Sequence, residues 1–390
     1  MPVTASYLMP TYARQSVSFV RGEGARLWDA EGVEYLDAIA GVAVTSLGHA
    51  HPEVAAAIAD QASLLLHTSN LFGIGWQEKL GERLCALTGM QRAFFCNSGA
   101  EANETALKLA RLHANARRIA QPQVLVMENS FHGRTLATLA ATGNPAVQRG
   151  FEPLMPGFVR VPYDDIDAVR AAAEREPGIA AVLVEPVQGE GGVHPASPAY
   201  LRALRAICDE RGWLLMVDEV QTGMGRTGAW FGHQHAGIVP DVMTLAKALG
   251  NGVPIGACLA RGVAASLFSP GAHGSTFGGN PMASRVACTV IDVMARDRLH
   301  ERAAVLGERL VRRLRAGLEG RTGIAAIRGI GLMVGVELDA DPHDLVHTAL
   351  ARERLLITLT RGRTVRLLPP LICSEAEIDE IAARLIRLLT

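Results

Sequence analysis

Lysine is almost missing from this sequence. Of 38 basic residues in a chain of 390, only Lys79, Lys108 and Lys247 are lysines, and the other thirty-five are arginines. Acidic residues number 39, so the formal net charge is −1, and there is no broad basic field of the kind that binds nucleic acid or an anionic membrane surface. No stretch reaches the roughly 18 consecutive apolar residues of a membrane span. The first ten residues hold two prolines and no basic cluster or long apolar run. They do not resemble a signal peptide, and the expectation is a soluble cytoplasmic protein. The six cysteines (Cys85, Cys96, Cys208, Cys258, Cys288, Cys373) contain no C-x-x-C pair and read as reduced core thiols, not as disulfides or zinc ligands. His343 and His347 stand at helical i, i+4 spacing without a third ligand nearby, which suggests a plain surface pair.

What the chain does have is apolar material, 49% of residues, enough for large buried cores. From about residue 90 to 260, short apolar runs end in polar or glycine residues and are followed by helical patterns. The candidate strands are Ala93 to Cys96, Val124 to Glu128, Phe158 to Val161, Ala181 to Val184, Leu214 to Val217, Val242 to Leu245 and Gly256 to Ala260. Several are apolar on both faces, as strands covered by helices on each side must be. This predicts an α/β layer with a largely parallel sheet, in which ligands bind beyond the C-terminal strand ends. Ser98-Gly99-Ala100-Glu101 and Ser374-Glu375-Ala376-Glu377 have the form of capping boxes, and Ser197-Pro198 places proline at a first helical position. Residues from about 285 onward read as a smaller α/β domain. The N-terminal segment, with turns at Gly22-Glu23-Gly24 and Glu31-Gly32, suggests a small antiparallel sheet joining it.

The three lysines separate by context. Lys79 and Lys108 fall on the polar faces of amphipathic helices and read as solvated charges. Lys247 follows the apolar run Val242 to Leu245 and precedes Gly250-Asn251-Gly252, expected to be a flexible turn. Desolvation at a sheet end favours the neutral amine, which is a nucleophile, whereas arginine stays protonated. A lysine of this kind calls for a carbonyl partner. Asp218, directly after Leu214 to Val217, is suited to hold the nitrogen of a pyridine ring protonated. Ser98, Gly99 and Ala100 open a helix where free N–H groups would favour a phosphate, although a cap without a ligand explains them equally well. Phe131 could stack on a ring, and Arg134 could grip a carboxylate. Gly223-Met224-Gly225-Arg226-Thr227-Gly228 matches G-x-G-x-x-G, but the following residues carry two further glycines and a proline and no helical period, so the motif lacks the context of a dinucleotide site.

Six ordered motifs, Phe94 to Arg111 (FFCNSGAEANETALKLAR), Ser130 to Thr135 (SFHGRT), Glu185 to Gly192 (EPVQGEGG), Asp218 to Gly228 (DEVQTGMGRTG), Leu245 to Gly252 (LAKALGNG) and His273 to Pro281 (HGSTFGGNP), together resemble the class-III, pyridoxal-phosphate-dependent aminotransferases. The likeness extends from Arg21 to Leu371. It implies the fold type I architecture of pyridoxal-phosphate-dependent transferases, an α/β fold with a large cofactor domain (59–284) and a small domain made of 1–58 together with 285–390. The cofactor implied is pyridoxal 5'-phosphate. By the same resemblance Lys247 binds the cofactor covalently and then shuttles a proton, Asp218 pairs with the ring nitrogen, Gln221 approaches the phenolic oxygen, and Phe131 covers one ring face. Ser98, Gly99 and Ala100 take the phosphate, and Thr276 reaches the phosphate of the other subunit, which implies a homodimer. The substrates implied are small molecules, an acylated ornithine and glutamate or 2-oxoglutarate, with no nucleic acid or membrane partner. Arg134, with Ser275 close by, would hold the distant carboxylate of the acylated ornithine. Arg366 would hold the α-carboxylate of glutamate, screened by Glu190 while the other substrate is bound. The small Val42 is expected to leave room for the acyl group, and Thr45 stands where the family more often has asparagine.

Overall fold

The structure, a computed structural model, describes residues 7–390. A seven-stranded sheet dominates it. In spatial order the strands are Arg92–Cys96, Gly256–Ala260, Val242–Leu245, Leu214–Asp218, Ile179–Val184, Gln123–Met127 and Phe158–Val161. Every apolar run expected to be a strand is therefore in this one sheet. All neighbours pair in parallel except Gly256–Ala260, which is antiparallel to both strands beside it. Ile179–Val184 is buried at all six positions, because helices cover both faces and neither side of the strand meets water.

Helix starts follow local chemistry. Ser374 and Glu377 form a reciprocal capping box, and Ser197 caps a helix with Pro198 in its first turn. The Ser98 expectation is corrected in one respect. Its hydroxyl does accept from the Glu101 N–H, but the Glu101 carboxylate accepts from the backbone and side-chain N–H of Asn97, one residue earlier than a capping box would have it. The turn at Gly250-Asn251-Gly252, expected to be flexible, is tethered. The Asn251 side chain accepts from Leu47 N at 2.8 Å and donates to Gly48 O at 3.3 Å, pinning the turn to the N-terminal segment.

Phe19–Glu23, Arg26–Asp29 and Glu34–Asp37 form the expected antiparallel sheet, and Leu355–Leu356 joins it in parallel. A second antiparallel sheet holds Ile324–Ile330, Met333–Leu338, Thr364–Leu367 and Thr358–Thr360. Arg226, within the glycine-rich stretch after Asp218, ties these parts together. Fully buried, its guanidinium donates to Leu332 O (2.9 Å), Pro369 O (2.5 Å) and Ser46 Oγ (3.1 Å). Burial without a carboxylate partner pulls its pKa down to about 10. The G-x-G-x-x-G stretch thus forms a buried turn that opens no helix. Among the described residues, no helix is long and apolar enough to cross a membrane.

Candidate active site

A cavity of about 400 Å³ lies at the C-terminal ends of the parallel strands, where such sheets bind ligands. Ser98, Gly99, Ala100, Phe131, Arg134, Glu190, Asp218, Gln221 and Lys247 all line it. Ser98, Arg134 and Lys247 are far apart along the chain, and the sheet gathers them because each follows a strand.

Lys247 follows Val242–Leu245 after a single alanine and sits in a left-handed conformation, φ 47°. A non-glycine residue held there carries strain, which neighbouring structure must sustain. Among the described residues its amine has no hydrogen bond or ion pair. Burial shifts its pKa below the ordinary lysine value, the Glu190 carboxylate opposing this and Arg366 adding to it.

Asp218 is 4% exposed and held by several donors. Its Oδ2 accepts from Asn103 Nδ2 and His132 Nδ1, each at 2.8 Å, and its Oδ1 from Val220 N at 3.0 Å. Thr244 Oγ1 in turn donates to Asn103 Oδ1, fixing the amide orientation. Asn103 and His132 also line the cavity and were not singled out from sequence. Asn103 is one helical turn beyond Gly99, and His132 adjoins Phe131; the i, i+4 spacing on a helix could have revealed the first. Glu185, the first residue after Ile179–Val184, also faces the cavity, its Oε2 accepting from Phe131 N at 3.0 Å. Burial and the neighbouring Asp218 carboxylate push its pKa well above the usual carboxylate range. Its strand-end position was the available signal.

Two arginines differ in engagement. Arg134 is exposed at the cavity mouth, its guanidinium carbon 5.6 Å from the Phe131 ring centroid, with no ion pair among the described residues. Arg366, in Thr364–Leu367, is 3% exposed and donates to Glu190 Oε1 at 2.6 Å and Gln221 Oε1 at 3.2 Å. Burial alone would raise the pKa of Glu190, but the Arg366 charge and hydrogen bond hold it below the usual value. Arg366 itself does not line the cavity; Glu190 and Gln221 stand between. Ser275 and Thr276 are outside the cavity wall of their own chain. The Ser275 hydroxyl accepts from Gly278 N and Asn97 Nδ2, and Thr276 is exposed.

The position of Val42 corrects an expectation. Ala40 to Ala43 form a left-handed turn, all four with φ between 48° and 67°. Val42 packs against the cluster of Val187, Val193, Met333 and Leu368, while Val44 is the residue of this segment that lines the cavity.

The groups present fit pyridoxal phosphate. An unpaired amine at Lys247, a fully supported carboxylate at Asp218 and an aromatic face at Phe131 share one cavity. In addition, the Gly99 and Ala100 N–H groups at the start of the Gly99–Ala116 helix have no acceptor among the described residues, as an anion site requires. Glycine is needed at position 99, since a Cβ there would come within 2.7 Å of Val220.

The sequence matches the family Aminotransferase class-III over residues 9–389. An acetylornithine aminotransferase of Nitrosomonas europaea is 52% identical over 385 residues, covering 99% of this chain and 98% of the relative. Among solved structures, the ornithine aminotransferase from Toxoplasma gondii is similar with a TM-score of 0.94 and 38% identity, covering 98% of this chain and 92% of that one. The N-acetylornithine aminotransferase from Stenotrophomonas maltophilia gives 0.84 and 35%, with coverage of 97% and 96%.

Proposed function

Because the chain belongs to the class-III aminotransferases, a pyridoxal-phosphate-dependent family, we propose that it transfers the terminal amino group of N2-acetyl-L-ornithine to 2-oxoglutarate. The products are N-acetyl-L-glutamate 5-semialdehyde and L-glutamate, and in the reverse direction the reaction serves arginine biosynthesis in the cytoplasm. The observation that carries this reading is the pair of arginines, one open at the mouth and one held by a carboxylate. The first substrate presents a terminal amine with its carboxylate several carbons away; the second carries a carboxylate beside the reacting carbon. Arg134, unpaired and exposed, suits the distant carboxylate. Arg366 suits the near one, once glutamate displaces Glu190.

Bound pyridoxal phosphate supplies the electron sink for amino-group transfer. Lys247 holds and returns the proton at its Nζ, a task helped by burial that favours the neutral amine. Asp218, oriented by Asn103, His132 and Val220 N, would hold a proton on the ring nitrogen of the bound group. Ser98, Gly99 and Ala100 would hold the phosphate, Phe131 would cover one ring face, and Gln221, which accepts from Arg366, would approach the phenolic oxygen. The large domain, 59–284, carries all of these except Arg366.

The working unit is a homodimer in which Thr276 completes the partner's phosphate site. Exposed Leu71, Phe72 and Phe277 support this: Asn70 donates to Ser275 O and Gly278 O, which ties the 70–72 segment to the Thr276 loop and sets exposed apolar side chains on both. Turnover of N-acetylornithine, N-succinylornithine, free ornithine and 4-aminobutyrate with 2-oxoglutarate tests the assignment. N-Acetylornithine is expected to give the highest kcat/KM, and a higher value for free ornithine or 4-aminobutyrate overturns it.

A further inference from the structure

Lys108 is exposed, but its amine is engaged. Its Nζ donates to Ala272 O at 2.9 Å and to His273 Nδ1 at 3.0 Å, across 164 residues of chain. The opposite ring nitrogen, Nε2, is 3.0 Å from Thr105 Oγ1. Since the Thr105 hydroxyl already donates to Glu101 O at 2.8 Å, it accepts from Nε2–H. The ammonium on one side and this acceptor on the other leave His273 a single neutral tautomer, and burial, with the Lys108 charge, keeps its pKa below the ordinary histidine value. The Phe94 and Phe268 rings pack against it, with centroids at 4.6 and 5.5 Å. His273 therefore has both nitrogens engaged and two aromatic rings against it.

Two elements meet here. Thr105 and Lys108 belong to the Gly99–Ala116 helix, whose first turn offers the free N–H groups of Gly99 and Ala100. His273 begins the loop that carries Ser275 and Thr276. The loop is fastened to the same helix a second time, through Ser275 Oγ, Asn97 Nδ2 and Glu101 Oε2. We propose that Lys108 and His273 form a latch that fixes the 272–278 loop on this helix, making them positioning residues for the cofactor phosphate of the partner subunit. The inference rests on the reading of Thr276 given above. One rigid helix would then set both a phosphate cradle in its own subunit and, through the latch, the reach of Thr276 into the other.

The test is the rate at which the purified holoenzyme loses pyridoxal phosphate on dilution into an amine trap, followed by absorbance, for five proteins: the parent, Lys108→Met, Lys108→Arg, Thr276→Ala and the double variant of Lys108→Met with Thr276→Ala. Lys108 is exposed, so its removal spares the core, and a thermal melt of each cofactor-free variant checks this. Lys108→Met is expected to speed cofactor loss about fivefold in the parent background, with no added effect once Thr276 is alanine, the coupling expected of residues acting through one another. Lys108→Arg, which keeps a donor for Ala272 O and His273, is expected to restore most of the retention. The latch is overturned if Lys108→Met changes nothing, or if it acts by the same factor in both backgrounds. If Thr276→Ala alone leaves the rate unchanged while Lys108→Met raises it, the reading of Thr276 fails instead, and with it the route from the latch to the partner.

Discussion

Replacing Glu190 with glutamine should move the two half-reactions in opposite directions. Arg366 and Glu190 are 2.6 Å apart, with 3% and 34% of their side chains exposed. At an effective dielectric of about 20, unit charges roughly 3 Å apart attract by about 5 kcal/mol. Solvent at the open third of Glu190 reduces this, and a hydrogen bond to a charged group contributes roughly 1.5–3 kcal/mol net. Glutamine keeps a neutral hydrogen bond worth about 1 kcal/mol, so the net weakening is on the order of 1.4 kcal/mol, a factor of about ten. The carboxylate of glutamate must displace Glu190 from Arg366, and its apparent affinity should therefore rise about tenfold in Glu190→Gln. N-Acetylornithine, whose amine enters beside a newly unscreened guanidinium, should bind several-fold more weakly. The Glu190 charge also favours protonated Lys247; without it the Lys247 pKa falls further, and the acid limb of the pH–rate profile shifts to lower pH. Stopped-flow measurement of each half-reaction, by cofactor absorbance, reads all three. Equal changes in both half-reactions, or weaker glutamate binding, would refute the proposed exchange of partners at Arg366.

Three other substitutions probe separate parts of the structure. Lys247→Arg keeps a cation but removes the amine that can shed its proton, and both half-reactions should slow by at least about a thousandfold in single-turnover assays. Arg134→Gln should raise KM for N-acetylornithine about tenfold or more while changing the glutamate half-reaction less than about threefold, because the lost contact is a charge-assisted one to only one of the substrates. Arg226→Met strips donors from the buried Leu332 and Pro369 carbonyls. Relief from burying a charge offsets part of that cost, leaving a loss of about 2–4 kcal/mol in denaturant unfolding, and a loss below about 1 kcal/mol would contradict the hub role.

The site was legible where chemistry follows a strand. Asp218 and Lys247 come directly after apolar runs whose ends could be read to within two residues, and parallel-sheet geometry then brings such positions together. The same rule applied to Ile179–Val184 would have added Glu185. Contacts between distant segments were not legible, because they leave no local period. Lys108 reads as a helix-face charge until the 272–278 loop is laid on it, and Arg226 reads as part of a glycine motif until three remote segments converge on its guanidinium. The misplacement of Val42 has a different cause. A left-handed turn made of Ala40, Gly41, Val42 and Ala43 costs energy that residue types do not announce, and its geometry exchanges the roles of Val42 and Val44.

The latch gives the near-absence of lysine a practical meaning. Outside the cavity, the side-chain amines number two, Lys79 over the Trp76 ring and Lys108 on the 272–278 loop. Amine-directed reagents such as succinimidyl esters or aldehyde supports thus meet a molecule with almost no redundant targets. Acylation of Lys108 would neutralise the very charge that fastens the loop, so covalent tethering through amines would act on cofactor retention, whereas attachment through the plentiful arginines would leave that fastening alone.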